Sequence, residues 1–302
     1  MKTLLAVMAL VAGFTAHAAE ESTTKAKKEE VMKEQLENAP VAVDIDNEIT
    51  NAKMRADAGS KSKHSISLGA GYNGGSLKDA FGKTRPDISD NSTNEQKTSA
   101  AGDLNYRYRL SASDSLTAGF GLKWLTPSYD GQKIEASNPA VGYNKSFKAG
   151  KTQNSLSVGS QKYTASELIK KLKINADIGF GTNTIVEIGT SGLQVGLGTS
   201  LGYTNYTEFI AGSQLEYSVA VSPYVEYAFN DKYNFRTVYR GNGYNSLRES
   251  NMKFEQEEPT QSLGIGIAAT RDIFLYPNVQ WVWRDVTSEK TNVALSASMN
   301  FF

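Results

Sequence analysis

Residues 99–124, SAAGDLNYRYRLSASDSLTAGFGLKW, contain two complete alternations joined by a tight turn. In the first, Ala100, Leu104, Tyr106, Tyr108 and Leu110 stand against Ser99, Asp103, Asn105, Arg107 and Arg109. In the second, Leu116, Ala118, Phe120, Leu122 and Trp124 stand against Thr117, Gly119, Gly121 and Lys123. A period of two sets one apolar face against a face of glycine, hydroxyl and charge, which is the signature of strands in a sheet. Ser111 to Ser115 is short enough to close them into a hairpin.

The pattern extends in both directions. It appears first at Ile66 to Tyr72 and returns at Leu172 to Phe180, Leu193 to Tyr203, Leu215 to Phe229, Tyr233 to Tyr239, Leu263 to Ala269, Ile273 to Trp283 and Val293 to Phe301. Ten strands are legible. Val141, Tyr143 and Phe147 suggest another, and Leu156 and Val158 one more; without them residues 126–167 would form a structureless loop far longer than the roughly 15 residues at which loops become uncommon. Twelve strands are expected, with ten as the alternative. Residues 166–173, SELIKKLK, are open to a short helix, and Ile185, Val186 and Ile188 break the period over 181–191, leaving the turn there unplaced.

A soluble sandwich alternates too, but gives aromatic residues no reason to gather at strand ends. Laying the strands up and down puts Trp124, Tyr203, Trp281 and Trp283 near one rim, and Tyr108, Phe180, Phe229, Tyr233 and Phe301 near the other. Two aromatic girdles around an aliphatic band are what a bilayer interface selects. Strands facing hydrocarbon must close on themselves to satisfy their backbone, and closure with both chain ends on one side needs an even count. The expected fold is an all-β, antiparallel, up-and-down transmembrane β-barrel over residues 63–302. Tight turns at 111–115, 230–232 and 271–272 alternate with long connections such as 74–97 and 244–259, which orients the short turns and the N-terminus towards the periplasm.

Residues 1–18 read as a signal peptide: Lys2, an apolar run from Leu4 to Phe14, then Ala16-His17-Ala18, with cleavage expected after Ala18. The run is too short to span a bilayer, which takes roughly 20 residues. No later window is apolar enough for a helical span, and with no cysteine there is no disulfide framework and no lipid-bearing thiol. Without Lys2, 31 Lys plus Arg face 32 Asp plus Glu, so charge draws the chain to no nucleic acid. Glycine at 26, Tyr plus Phe at 27 and proline at 7 favour twisted strands.

Residues 19–62 contain no aromatic residue and form a separate N-terminal segment, expected in the periplasm and partly helical or disordered. Helix is expected over Thr24 to Glu37, ended by Pro40, and over Asn47 to Ala58, with Ile49, Ala52 and Ala56 on one face and Gly59 as the C-terminal cap. A solvated tail is the plain reading; a lumen plug and a partner-binding helix are the alternatives.

With its signal peptide, dyad repeats, girdles and terminal strand NVALSASMNFF (292–302), the chain resembles the bacterial outer-membrane β-barrel proteins, a porin-like class of Gram-negative cells, over about four-fifths of its length. The apolar series Val293, Leu295, Ala297 and Met299 leads to Phe301, one residue short of the terminal aromatic usual in that family. The resemblance implies residence in the cell outer membrane, contact with its lipid and lipopolysaccharide, and insertion by the outer-membrane assembly machinery. The N-terminal segment leaves room for a periplasmic partner.

The polar faces place Asp103, Arg107, Arg109, Lys123, Lys173, Asp177, Glu216, Glu226, Arg236, Arg240 and Arg284 as pore-lining residues, seven cations to four anions. Rings of Arg and Lys favour anions, so the expected function is a passive channel for small hydrophilic solutes with a slight anion preference. The competing reading pairs these charges across a closed barrel whose loops and N-terminal segment do structural or adhesive work. Small residues at Gly119, Gly121, Gly196, Gly198, Gly264, Gly266 and Ser296 favour open volume. Outer-membrane phospholipases have a similar size but need a serine and a histidine base. The remaining histidine, His64, lies at the opposite rim, so no catalytic set, cofactor or metal is expected. Gly69 to Gly74 matches the dinucleotide string without its helix, and DIDNE at 44–48 lacks the spacing of a calcium loop. Glu249, Glu255, Glu257 and Glu258 mark one acidic outer loop.

Overall fold

Alternation at this density builds a sheet with two incompatible faces, and the chain resolves them by closing. The computed structural model describes residues 49–88, 95–124, 134–164, 169, 172–210, 214–245, 254–256 and 258–301. The expected signal peptide, the Thr24 to Glu37 helix, the 44–48 motif, most of 166–173, and Glu249 and Glu257 fall outside them.

The strands are β1 (His64–Ser76), β2 (Thr84–Pro86), β3 (Glu95–Lys97), β4 (Ser99–Arg109), β5 (Asp114–Trp124), β6 (Ile134–Ala149), β7 (Thr152–Lys162) and β8 (Ile174–Ile188). They continue as β9 (Leu193–Tyr206), β10 (Tyr217–Ala228), β11 (Tyr233–Asn245), β12 (Phe254–Gln256), β13 (Thr260–Thr270), β14 (Ile273–Val282) and β15 (Asn292–Phe301). Neighbours run from β10 back through β4 to β1, then β15, β14, β13 and β11, and β11 pairs with β10. Every pairing is antiparallel, so twelve strands form a closed barrel, while β12 pairs with the last residues of β11 and β2 with β3 makes a separate hairpin in the first long connection. The uncertain pair is real: β6 and β7 are joined across 150–151, where Gly150 takes a φ of 59°.

The outward face is apolar. Val141, Ile178 and Leu201 are 62%, 56% and 53% exposed, an inversion of the soluble rule that fits a surface built for hydrocarbon. Aromatic rings gather at its edges. Tyr203 lies 5.3 Å from Tyr217 and Tyr239 lies 5.2 Å from Trp283 at the long-loop end, while Tyr227 and Phe229 meet at 5.5 Å and His64 and Tyr108 at 5.2 Å at the turn end.

Phe180 is a correction. It pairs with Val158 and Leu201 in the middle of β8, because that strand runs on to Ile188 and turns only at 189–192. Ile185 hid the continuation: it sits on the inward register yet is apolar, and is fully buried.

Of residues 19–62, the part from Ile49 onward follows the lumen-plug alternative and not the solvated tail. This part enters the barrel. Helix α1 (Ala52–Ala58) lies inside the lumen at the turn end, with Asn51 as N-cap and Gly59, φ 86°, at the C-terminal end as the sequence predicts. Seven residues cannot hold a helix in water, so packing has to do it. Ile49 and Met54 join Ile185, Tyr224 and Val238 in one buried cluster; Ala56 joins Phe274 and Tyr276 in another. Burying a side chain such as Ile49 or Met54 is worth about 1.5–3 kcal/mol.

Candidate functional site

Asn51 organises the seat of α1. Its Oδ1 accepts from the Met54 amide at 3.0 Å, capping the helix, while its Nδ2 donates to Gln194 at 2.8 Å and to Glu226 at 2.9 Å. Gln153 Oε1 accepts from the amides of Thr50 and Asn51. Glu226 is 1% exposed and is compensated by an ion pair with Arg236, whose guanidinium stacks 4.3 Å from the Tyr224 ring centroid. A buried carboxylate is tolerable only when paired and hydrogen-bonded, and here it has both.

At the other end of α1, Arg271 donates to the Gly59 carbonyl and Arg109 to the Lys61 carbonyl at 3.2 Å. Cations suit the carbonyl end of a helix. Arg107 packs its guanidinium against Gly59 so closely that a Cβ at that position would overlap it. Asn300 donates to the Ala56 carbonyl and Ser298 donates to Asp57 at 2.9 Å. Polar contacts thus reach α1 from β4, β7, β9, β10 and β15 and from the β13–β14 turn. A cavity of about 390 Å³ remains between α1 and the turns, bordered by Arg55, Lys232 and Phe274.

Beyond α1 the lumen has two unlike walls. Gly142, Gly159, Gly179, Gly181, Gly202 and Ser157 border a cavity of about 500 Å³ along β6 to β10. On the facing wall the glycines of β13 are already covered: a Cβ on Gly264 would strike the Pro277 carbonyl and Asn278, and one on Gly266 would strike Phe274 and Asn234.

The predicted lining divides accordingly. Asp103, Arg107, Arg109, Lys123, Asp177, Glu226, Arg236 and Arg240 share the inward register of their strands, and Glu216 lies just before β10, where its carbonyl accepts from Thr204. Asp177 accepts from the Tyr163 hydroxyl at 2.7 Å. Lys173 and Arg284 sit elsewhere. Lys173 lies before β8 and pairs with Glu208 between two loops at 3.4 Å, and Arg284 is exposed in the turn after β14; both have left-handed backbones, φ 58° and 71°, which break the strand register assumed for them. Among the rim residues, Tyr108, Tyr203, Phe229, Tyr233, Trp281, Trp283 and Phe301 lie towards strand ends, and Trp124 ends β5.

Asn51, Gln153, Ile185, Gln194, Tyr224, Val238, Phe274 and Tyr276 were not singled out from the sequence as lumen residues. The signal was present in the apolar and aromatic residues that interrupt otherwise polar inward rows. Among the described residues no helix is long and apolar enough to cross a membrane, and no group of three or more His, Cys, Asp or Glu is arranged to hold a metal.

No protein-family model matches the sequence, and no curated protein matches it significantly. Among solved structures the chain is similar to an outer membrane channel from Pseudomonas putida F1, with TM-score 0.51, 10% identity, and coverage of 81% of this chain and 97% of that one. It is also similar to the NanC porin, with TM-score 0.43, 12% identity, and coverage of 78% and 97%. A loop L8 deletion mutant of OmpT, an outer membrane protein of Vibrio cholerae, gives TM-score 0.37, 10% identity, and coverage of 81% and 100%. The likeness to the Pseudomonas channel is one of fold: the chain has the architecture of the bacterial outer-membrane β-barrels.

Proposed function

We propose that this barrel is an outer-membrane channel for small hydrophilic solutes, with a slight anion preference, whose turn end is held shut by α1 in the conformation described. The observation that carries the reading is the glycine- and serine-lined cavity beside β6 to β10, which no side chain of the facing wall fills. Arg107 and Arg240 support the anion preference: among the described residues neither has a carboxylate within ion-pair distance, while the charge of Arg236 is cancelled by Glu226. The same reading puts the short turns and α1 in the periplasm, the long loops outside, and the outward apolar face in lipid and lipopolysaccharide. It also keeps the assembly machinery, and a periplasmic partner of the segment before Ile49, as proposed partners.

A closed barrel acting through its loops is the second reading, favoured by the number of strands that grip α1. Planar-bilayer recording on the folded full chain separates the two. Small, infrequent steps are expected, becoming larger and longer when Asn51→Ala loosens α1. Reversal potentials in a salt gradient should favour anions, less so in Arg107→Ala combined with Arg240→Ala. Silence from both the parent and the Asn51→Ala barrel overturns the channel.

A further inference from the structure

Two prolines interrupt the barrel wall, and both face the same pair of strands. Pro223 keeps its register with Leu197 on β9, but on the β11 side the ladder skips 222/240 and 223/239, resuming at Tyr224 and Val238 without a shift. Pro277 keeps its register with Leu295 on β15, while on the β13 side the ladder skips 265/277 and 266/276, resuming at Ile267 and Leu275, again without a shift. A proline has no N–H to give, so the carbonyls of Tyr239 and Ile265 opposite them lose their ladder donors. Both orphaned carbonyls lie on outward-facing residues, where hydrocarbon offers no replacement. Pro139, the other proline within a barrel strand, stands beside the Asn138 bulge and faces neither seam.

The strands between the gaps, β11 and β13, also form part of the seat of α1. Val238 closes the cluster around Met54, Arg236 neutralises the Glu226 that Asn51 binds, and Ala268 packs with Ala56, Phe274 and Tyr276. The opposite side of the seat, Gln153, Ile185 and Gln194, stands on β7 to β9, whose ladders run unbroken through these residues.

We infer that β11 and β13 are the yielding panel of the wall, and that α1 is unseated by displacement of this panel rather than by withdrawal through a rigid mouth. The inference rests on α1 being the closure. Hydrogen exchange on the folded full chain tests it without recording current. Amides of β11 and β13 should exchange at least tenfold faster than those of β7 to β9, and Pro223→Val with Pro277→Val should slow them together with the amides of α1. Because that double variant can fail in assembly, a disulfide between Val225→Cys and Thr237→Cys, a paired position across the first seam in a chain without cysteine, provides a second test: oxidation should protect α1 and reduction restore its exchange. Equal exchange in the panel and in β7 to β9, or α1 exchange indifferent to the disulfide, overturns it. A panel that behaves as stated in a barrel that carries no current would leave this inference standing and remove the channel.

Discussion

Asn51 and Glu226, 175 positions apart in sequence, meet at 2.9 Å between the Nδ2 of the residue that starts α1 and a carboxylate oxygen of β10. One side chain therefore caps the helix and fixes it to the wall. Asn51→Ala removes both roles: the cap is worth about 1 kcal/mol, and a hydrogen bond to a charged group about 1.5–3 kcal/mol. The barrel ladders do not involve Asn51, so its thermal unfolding should hardly move while exchange of the 52–58 amides rises at least tenfold. Unchanged α1 protection would show that the cap does not hold the helix.

Met54 tests the apolar half of the seat. It is 2% exposed within the cluster of Ile49, Ile185, Tyr224 and Val238. Met54→Ala should cost α1 about 2–4 kcal/mol, at the scale of buried large-to-small changes. Ile185→Ser from the other side should act in the same direction and leave β8 in place, since Ile185 contacts α1 and the strand ladder is backbone. A double variant less additive than the two single changes is expected, because both remove one contact.

How much of this was legible follows from which face a residue serves. Outward residues such as Leu104, Tyr106 and Phe120 answer only to hydrocarbon, so the period of two revealed the strands and their number. Inward residues answer to whatever fills the lumen. Ile185 reads as a fault in the pattern because α1, far away in sequence, supplies its partner, and a short weakly apolar helix does not announce where it will pack. Phe180 was misplaced for the same reason. Lys173 and Arg284 failed differently, since a left-handed residue breaks register and nothing in a lysine or arginine foretells one. Pro223 and Pro277 were visible throughout, but only the register shows that their missing donors face one panel.

The loops at the other end offer a pH test. Leu77 N donates to the Thr291 carbonyl at 2.8 Å, Asn292 Nδ2 donates to the Pro86 carbonyl at 3.0 Å, and Lys78 pairs with Glu289, joining the first long loop to the last. The hydrogen bond from Lys78 holds the Glu289 carboxyl down at about 2. A carboxylate depressed on folding adds its contribution above its unfolded value, near 4.3, and loses it as pH falls through the folded one. Cleavage by an acid protease beside the exposed Phe81 in the first loop, corrected for the protease's own pH profile, should therefore stay slow at pH 4 and accelerate towards pH 2, and the step should vanish in Glu289→Gln. A pH-independent rate in the parent would remove the pair from loop docking; the exposed setting keeps the effect small.

Gly59 is where backbone and side chain demand the same residue. Its φ of 86° ends α1 in a conformation costly to residues with a Cβ, and the space a Cβ would take holds the Arg107 guanidinium. Gly59→Ala should destabilise the docked helix by 1 kcal/mol or more, about the cost of a non-glycine residue forced into such a backbone. Arg107→Ala clears the steric overlap but leaves the dihedral cost, so combining the two should recover part of the loss and no more. Full recovery of α1 protection in the double variant would show that the guanidinium alone selects glycine there, and no recovery would show that the backbone alone does.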